Sequence, residues 1–316
     1  MIKWVSALVL AAAVPLAALH AQTPKEAAAT ERAYRQEMVK LEKQIDKQEG
    51  TITLAAAKAR LNLGDRYYFV PAKDAPIVLE KMWGNPPAMS QNVLGIVFEK
   101  GARAHDAVWG AVITFKPIGY VSDADAQSED YDAVLSKMRE GEEERNAERR
   151  KAGFPEAHLV GWAQAPDYDA RQHSLVWARE IAFNGERQNT LNYDVRLLGR
   201  EGVLSMNMVS DMRHLADVQK AAKAFAAAAV FTPGATYADY NAATDKAAGY
   251  GLAGLVAGGT ALAVAKKLGL LGIILAFGKK FFVLIGLAFV AIGRLFWGMI
   301  GKRRGDPETE RREDAA

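Results

Sequence analysis

Acid–base, nucleophilic and metal chemistry need particular side chains at spacings that bring them together, and this chain offers few such arrangements. It has no cysteine, which excludes thiolate catalysis, zinc–thiolate sites, disulfides and an acylated N-terminal cysteine. Apart from His20 in an apolar leader, the histidines are His105, His158, His173 and His214, and none belongs to an HExxH or to a pair on one helix face. His105-Asp106 could be a base beside its orienting carboxylate. Adjacent residues on a strand point to opposite faces, however, so a turn pair is the simpler reading. Neither a GxSxG elbow nor a GxxxxGK[ST] loop is present, so hydrolase and nucleotide-binding readings lack these marks.

Carboxylates carry the remaining chemistry. The acidic stretch 122–132 opens with the D-x-D of Asp123 and Asp125. A calcium loop would need Gly where Ser128 stands and a bidentate Glu where Val134 stands, so no metal site is expected. Acidic residues at a helix N-terminus account for the same residues. Asp65, Asp123, Asp125 and Asp194 remain candidates for the paired carboxylates of an envelope-polymer hydrolase. For binding, Asn192, Asp194 and Arg196 share one face of a strand and could form a patch, although a solvated sheet face has the same pattern. Trp83 and Asn85, ahead of Pro86-Pro87, could present an aromatic contact to a peptide or glycan, or Trp83 could plug a helix end. No cofactor is expected.

The elements that must position these residues read as α+β. Tyr34, Met38, Leu41 and Ile45 recur at helical spacing, predicting a charged helix through residues 22–50 that ends at Gly50. From Thr51 short β-like runs alternate with turn residues, and Asp74 caps a helix that the Gly84–Pro87 turn stops. A long charged helix is predicted over 128–151. After it, hairpin loops at 184–187 and 199–202 divide an antiparallel meander. Within the meander Leu191, Tyr193, Val195 and Leu197 alternate with Thr190, Asn192, Asp194 and Arg196. Asp211 caps a last helix to about Phe231, whose Leu215, Val218, Ala222 and Phe225 can cover the sheet. One domain, residues 51–231, is predicted: an antiparallel sheet covered by helices.

The two ends read as membrane-directed. Residues 1–21 have the layout of a signal peptide, with cleavage after Ala21 expected and an uncleaved signal anchor as the alternative. Residues 232–246 read as a juxtamembrane linker carrying Tyr237 and Tyr240, residues 247–301 as a transmembrane helical anchor, and 302–316 as a basic and acidic tail. Lysine pairs at 266–267 and 279–280 divide the anchor, leaving one span (281–301) or two (247–265 and 281–301), with a preference for two. Gly254 and Gly258 have the spacing of a close helix–helix contact, for packing within the anchor or self-association. Basic excess is confined to these flanks, since residues 22–246 are slightly acidic, and nucleic acid is not an expected partner.

The segments GDRYYFVPAKDAPIVLEKMWGNPP (64–87), GYVSDADA (119–126), DYDAVLSKM (130–138), Gly161-Trp162, NTLNYDVRLLGREGVL (189–204) and YADYNAATDKAAGYG resemble an uncharacterised bacterial family of membrane-anchored proteins, number 2167 among the domains of unknown function. The likeness covers nearly all of 54–297. It implies a Gram-negative envelope protein with a secreted, periplasmic domain and a C-terminal anchor in the cytoplasmic membrane, and it brings no activity or catalytic residue with it. The leading expectation is therefore a membrane-tethered, non-enzymatic domain with a protein, peptide or cell-wall partner. A carboxylate hydrolase and a subunit of a membrane complex are the alternatives.

Overall fold

Period-two alternation sets the main sheet. The computed structural model describes residues 24–258 except residue 152. The expected signal peptide, the anchor beyond residue 258 and the tail lie outside the described residues. Strands β1 (Thr51–Leu54), β2 (Ala59–Asn62), β3 (Tyr67–Pro71), β4 (Val93–Glu99), β5 (Gly110–Lys116) and β6 (Tyr120–Ser122) precede helices α2 (Tyr131–Arg139) and α3 (Glu142–Lys151). Strands β7 (Ala157–Asp169), β8 (Ser174–Phe183), β9 (Thr190–Leu198) and β10 (Val203–Asp211) form the meander. Seven strands run antiparallel in the order β3-β4-β5-β10-β9-β8-β7. The expectation of an α+β fold with an antiparallel sheet under helices is met.

One face of this sheet carries Tyr193, Val195, Met206, Met208 and Ile113, all buried. Helix α4 (Leu215–Ala228) lies over it through Val218, Ala222 and Phe225, spaced at four and three residues. Each of these larger side chains stabilises the fold by about 1.5–3 kcal/mol through burial. The chain leaves α4 at Ala229 and runs into β11 (Ala229–Phe231), which joins β1 and β2 in a small second sheet.

The opposite face has two separate covers. Helix α1 (Pro24–Glu42) and the π-helical turn Ile77–Met82 bring Met38, Leu41, Val78, Leu79 and Met82 onto Ile96, Phe98 and Val112. At the other end Val134, Met138, Tyr237, Leu252 and Val256 cover Leu175, Trp177, Leu198 and Val203. Between the two covers the register leaves a polar strip. Asn207 and Asp194 pair across β10 and β9, flanked by Val112 of the first cover and Trp177 of the second.

Four boundaries differ from the predictions. Helix α4 ends at Ala228, because residues 229–231, expected as its last turn, pair with β2 as β11. Helix α1 ends at Glu42, not Gly50. The Glu42 carboxylate is drawn to the Ala104 N–H (3.0 Å) and His105 (3.2 Å), and by Gln48 the chain is already bridged to Phe69. The predicted long charged helix is two, because Gly141 between them has φ +71°. Residues 232–258 are folded domain. Tyr237 is buried, Thr236 and Asp239 close a capping box, β12 (Ala247–Gly251) pairs parallel with β6, and α5 (Leu252–Val256) buries Leu252, Leu255 and Val256. The apolar side chains of residues 247–258, expected as the start of the anchor, meet protein. Among the described residues no helix is long and apolar enough to cross a membrane.

Candidate functional site

Asn192, Asp194 and Arg196 alternate along β9 because their neighbours Tyr193 and Val195 are claimed by the α4 side. They do not face open water. Asp194 is fully buried and accepts from Arg179 Nη2 at 3.1 Å, Arg196 Nη2 at 2.7 Å and Asn207 Nδ2 at 2.9 Å. Arg179 Nη2 also donates to Asn192 Oδ1 at 2.5 Å, and the Asn192 and Asn207 carboxamides exchange longer bonds of 3.3 and 3.4 Å. The Arg196 guanidinium lies over the Trp177 ring, 5.2 Å from its centroid.

Three features make this strip chemically unusual. Lys116 at the end of β5 joins it electrostatically, and among the described residues its ammonium makes no hydrogen bond or ion pair. Burial, with Arg196 close by, pushes Lys116 down to about 8 against a smaller opposing pull from Asp194. Second, Arg179 and Arg196 bind the single carboxylate of Asp194 and Lys116 feels it from further off, so one carboxylate stands against three cations. Third, Arg179 Nε, Ser205 Oγ and Trp177 Nε1 are buried without a hydrogen-bond partner. Each can donate, so the strip presents excess cation and excess donors together.

Of the four carboxylates of the hydrolase alternative, three hold different partners and one is exposed. Asp194 is locked under two guanidiniums. Asp125 accepts from the Leu252 and Ala253 N–H groups and so caps α5. Asp65 is exposed in the β2–β3 turn. Asp123 belongs to an aromatic node in which Tyr168 Oη donates to it at 2.7 Å and lies 3.0 Å from His173 Nδ1. His173 has φ +48° and stacks on Tyr237 (4.1 Å), which stacks in turn on Tyr120 (4.5 Å). Burial and then the hydrogen bond to Asp123 push the Tyr168 phenol up, and burial does the same to Tyr237, so neither is a base near neutral pH. The node clasps residues 232–251 to the β7–β8 turn.

Trp83 is half-buried, donates to the Ala104 carbonyl at 2.8 Å and meets Phe98 edge-on, which is the helix-end plug. Asn85 is buried, and its N–H donates to the Leu79 carbonyl. Neither offers an open contact point. Gly254 packs on Tyr250 of its own chain, and Gly258 follows α5 with φ +99°. Among the described residues no group of three or more His, Cys, Asp or Glu is placed to hold a metal.

Sequence reasoning missed Lys116, Arg179, Ser205 and Asn207. The hairpin loop at 199–202 was a usable signal for two of them, since it sets Ser205 against Arg196 and Asn207 against Asp194. It also missed a GxGxxG, Gly249, Gly251 and Gly254, across β12 and α5. That fingerprint places a phosphate at a helix N-terminus. Here the Asp125 carboxylate occupies the place, and α5 is only five residues long.

No curated protein matches the chain. Among solved structures, cyanobacterial PsbP (CyanoP) from Synechocystis sp. PCC 6803, determined in solution, is similar at 8% identity over 60% of this chain and 92% of that one, with a TM-score of 0.34. A family match extends from residue 46, just ahead of β1, to residue 292, and so takes in every strand described above. On that match the chain belongs to the family described as Protein of unknown function (DUF2167).

Proposed function

We propose that this protein is a non-enzymatic binding domain, tethered to the cytoplasmic membrane with its folded part on the periplasmic side, and that the polar strip of the main sheet is its recognition element. The observation that carries the binding reading is the strip's excess of buried donors and cations over acceptors. An arrangement that only held strands together would gain from pairing these groups internally or replacing them by apolar side chains. Asp123, Asp125 and Asp194 each hold different partners while Asp65 is exposed in a turn, which supports binding over a two-carboxylate hydrolase. The tether rests on residues 1–21 and on the apolar stretch after residue 258.

The test is site-specific photo-crosslinking in intact cells. A crosslinker at exposed Pro117, beside Lys116, is expected to capture a discrete adduct that Lys116→Met abolishes. The same probe at exposed Val230, on β11 of the small sheet, is expected to capture none. Equal capture at both positions, or no adduct at Pro117, rejects the strip as the recognition element.

A further inference from the structure

We propose that the corner of the strip formed by Lys116, Arg196, Ser205 and Thr114 binds a phosphoryl group, an assignment that rests on the reading of this chain as a binding domain. Register builds the corner. Ser205 on β10 stands directly between Arg196 on β9 and Thr114 on β5, and Lys116 follows two residues beyond Thr114 on the same face. Neighbouring strands are about 4.8 Å apart and same-face residues about 6.8 Å apart, so these side chains rise from adjacent positions of one sheet face. The Ser205 hydroxyl is buried with no partner, and the Thr114 hydroxyl makes no hydrogen bond among the described residues. Trp177 Nε1 in the next row and Arg179 Nε one row beyond are also unpartnered donors.

Oxyanions supply the acceptors that all these donors lack. Charge selects among them. With Asp194 as the only anion among three cations, the strip carries an excess of two positive charges. A phosphate monoester brings about −1.5 to −2 at pH 7 and neutralises it, whereas a carboxylate neutralises only half. The side chains fit the same ligand: Lys116 supplies a point charge, while Asp194 fixes the Arg179 and Arg196 forks before anything binds. Asp194 is thus a positioning residue and does not itself touch the ligand.

Thermal unfolding of the full chain in detergent, followed by tryptophan fluorescence, tests this. Inorganic phosphate is titrated against sodium chloride of equal ionic strength. A saturable rise in Tm is expected, absent in Lys116→Met and shifted to about tenfold higher phosphate concentration in Ser205→Ala. Acetate is expected to give a smaller rise; an equal one overturns the phosphoryl assignment. No rise with phosphate, or the same rise in Lys116→Met, also overturns it. Glycerol 3-phosphate and phosphatidic acid in mixed micelles separate the sources, the tighter marking a soluble phosphate or a lipid headgroup respectively. Loss of the phosphate response with the Pro117 adduct intact would reject the phosphoryl group and leave the binding reading standing.

Discussion

Lys116 is the residue whose behaviour most sharply separates a ligand site from a structural network. Its pKa falls to about 8 in the folded chain, mainly through burial, against about 10.4 when unfolded. The unfolded state therefore holds more protons between those values, and stability rises with pH across the window from about 8 to 10.4. Below about pH 8 the full cost of the buried charge is present. Lys116→Met is expected to raise stability near neutral pH by about 1–2 kcal/mol, allowing for solvent screening, and to flatten the rise above pH 8. Chemical denaturation of the two proteins at pH 7 and pH 10 checks both outcomes. Asp194→Asn has the opposite effect, because it leaves Arg179 and Arg196 buried without their shared anion; a loss of about 3–5 kcal/mol is expected in the same assay. Asn192, Asp194 and Arg196 were legible as one face of a strand because alternation is a local property. Their burial was not. A polar face reads identically whether water or protein surrounds it, and the covers that flank this strip draw Met38, Leu79, Val134 and Leu252 from four distant segments.

At the level of elements, the segment from β11 to α5 shows how position overrides composition. Pro233-Gly234, two tyrosines and a glycine-rich apolar run suggested a linker leading into lipid. Instead Arg200 grips Asp245 (2.7 and 2.9 Å), Tyr237 fills the second cover, and β12 lies beside β6. Hydropathy cannot distinguish a residue buried against Trp177 from one buried in a bilayer. The glycines hold the clearer signal, because they mark close approach. A Cβ on Gly251 would stand 2.3 Å from the Asp125 carboxylate that caps α5, and one on Gly119 would stand 2.4 Å from the Lys246 carbonyl. Gly251→Ala is therefore expected to displace the cap and lower stability by about 1–3 kcal/mol, with the loss reported first by amide exchange in residues 247–256. Gly254→Ala meets the Tyr250 Cβ at 2.7 Å and is expected to act on the same segment. By contrast the inner face of α4 was legible, since the 218, 222, 225 spacing is a local signal that its packing on the sheet reinforces, although Asp211 caps the short 3-10 turn ahead of it and residues 229–231, expected as its end, form β11.

For the whole molecule, the fate of residues 247–258 decides how the chain can meet a membrane. A first span at 247–265 would have to pull Leu252, Leu255 and Val256 out of the second cover, expose Trp177 and Leu198, and break the β12–β6 pairing. Stripping three buried aliphatic side chains costs about 1.5–3 kcal/mol each, before the Asp125 cap and the strand hydrogen bonds are counted. Retaining them in the domain leaves 281–301 as the stretch with the length and apolarity for a single crossing. Lys302, Arg303 and Arg304 would then follow that crossing on the cytoplasmic side, as the positive-inside tendency requires. The two-span arrangement would put them on the outer side. A reporter active only in the cytoplasm, fused after Ala316, is expected to give signal, while one active only outside is expected to be silent. The reverse pattern would mean an even number of crossings after the folded domain, so a span would have to be found between residues 259 and 280 despite the lysines at 266, 267, 279 and 280.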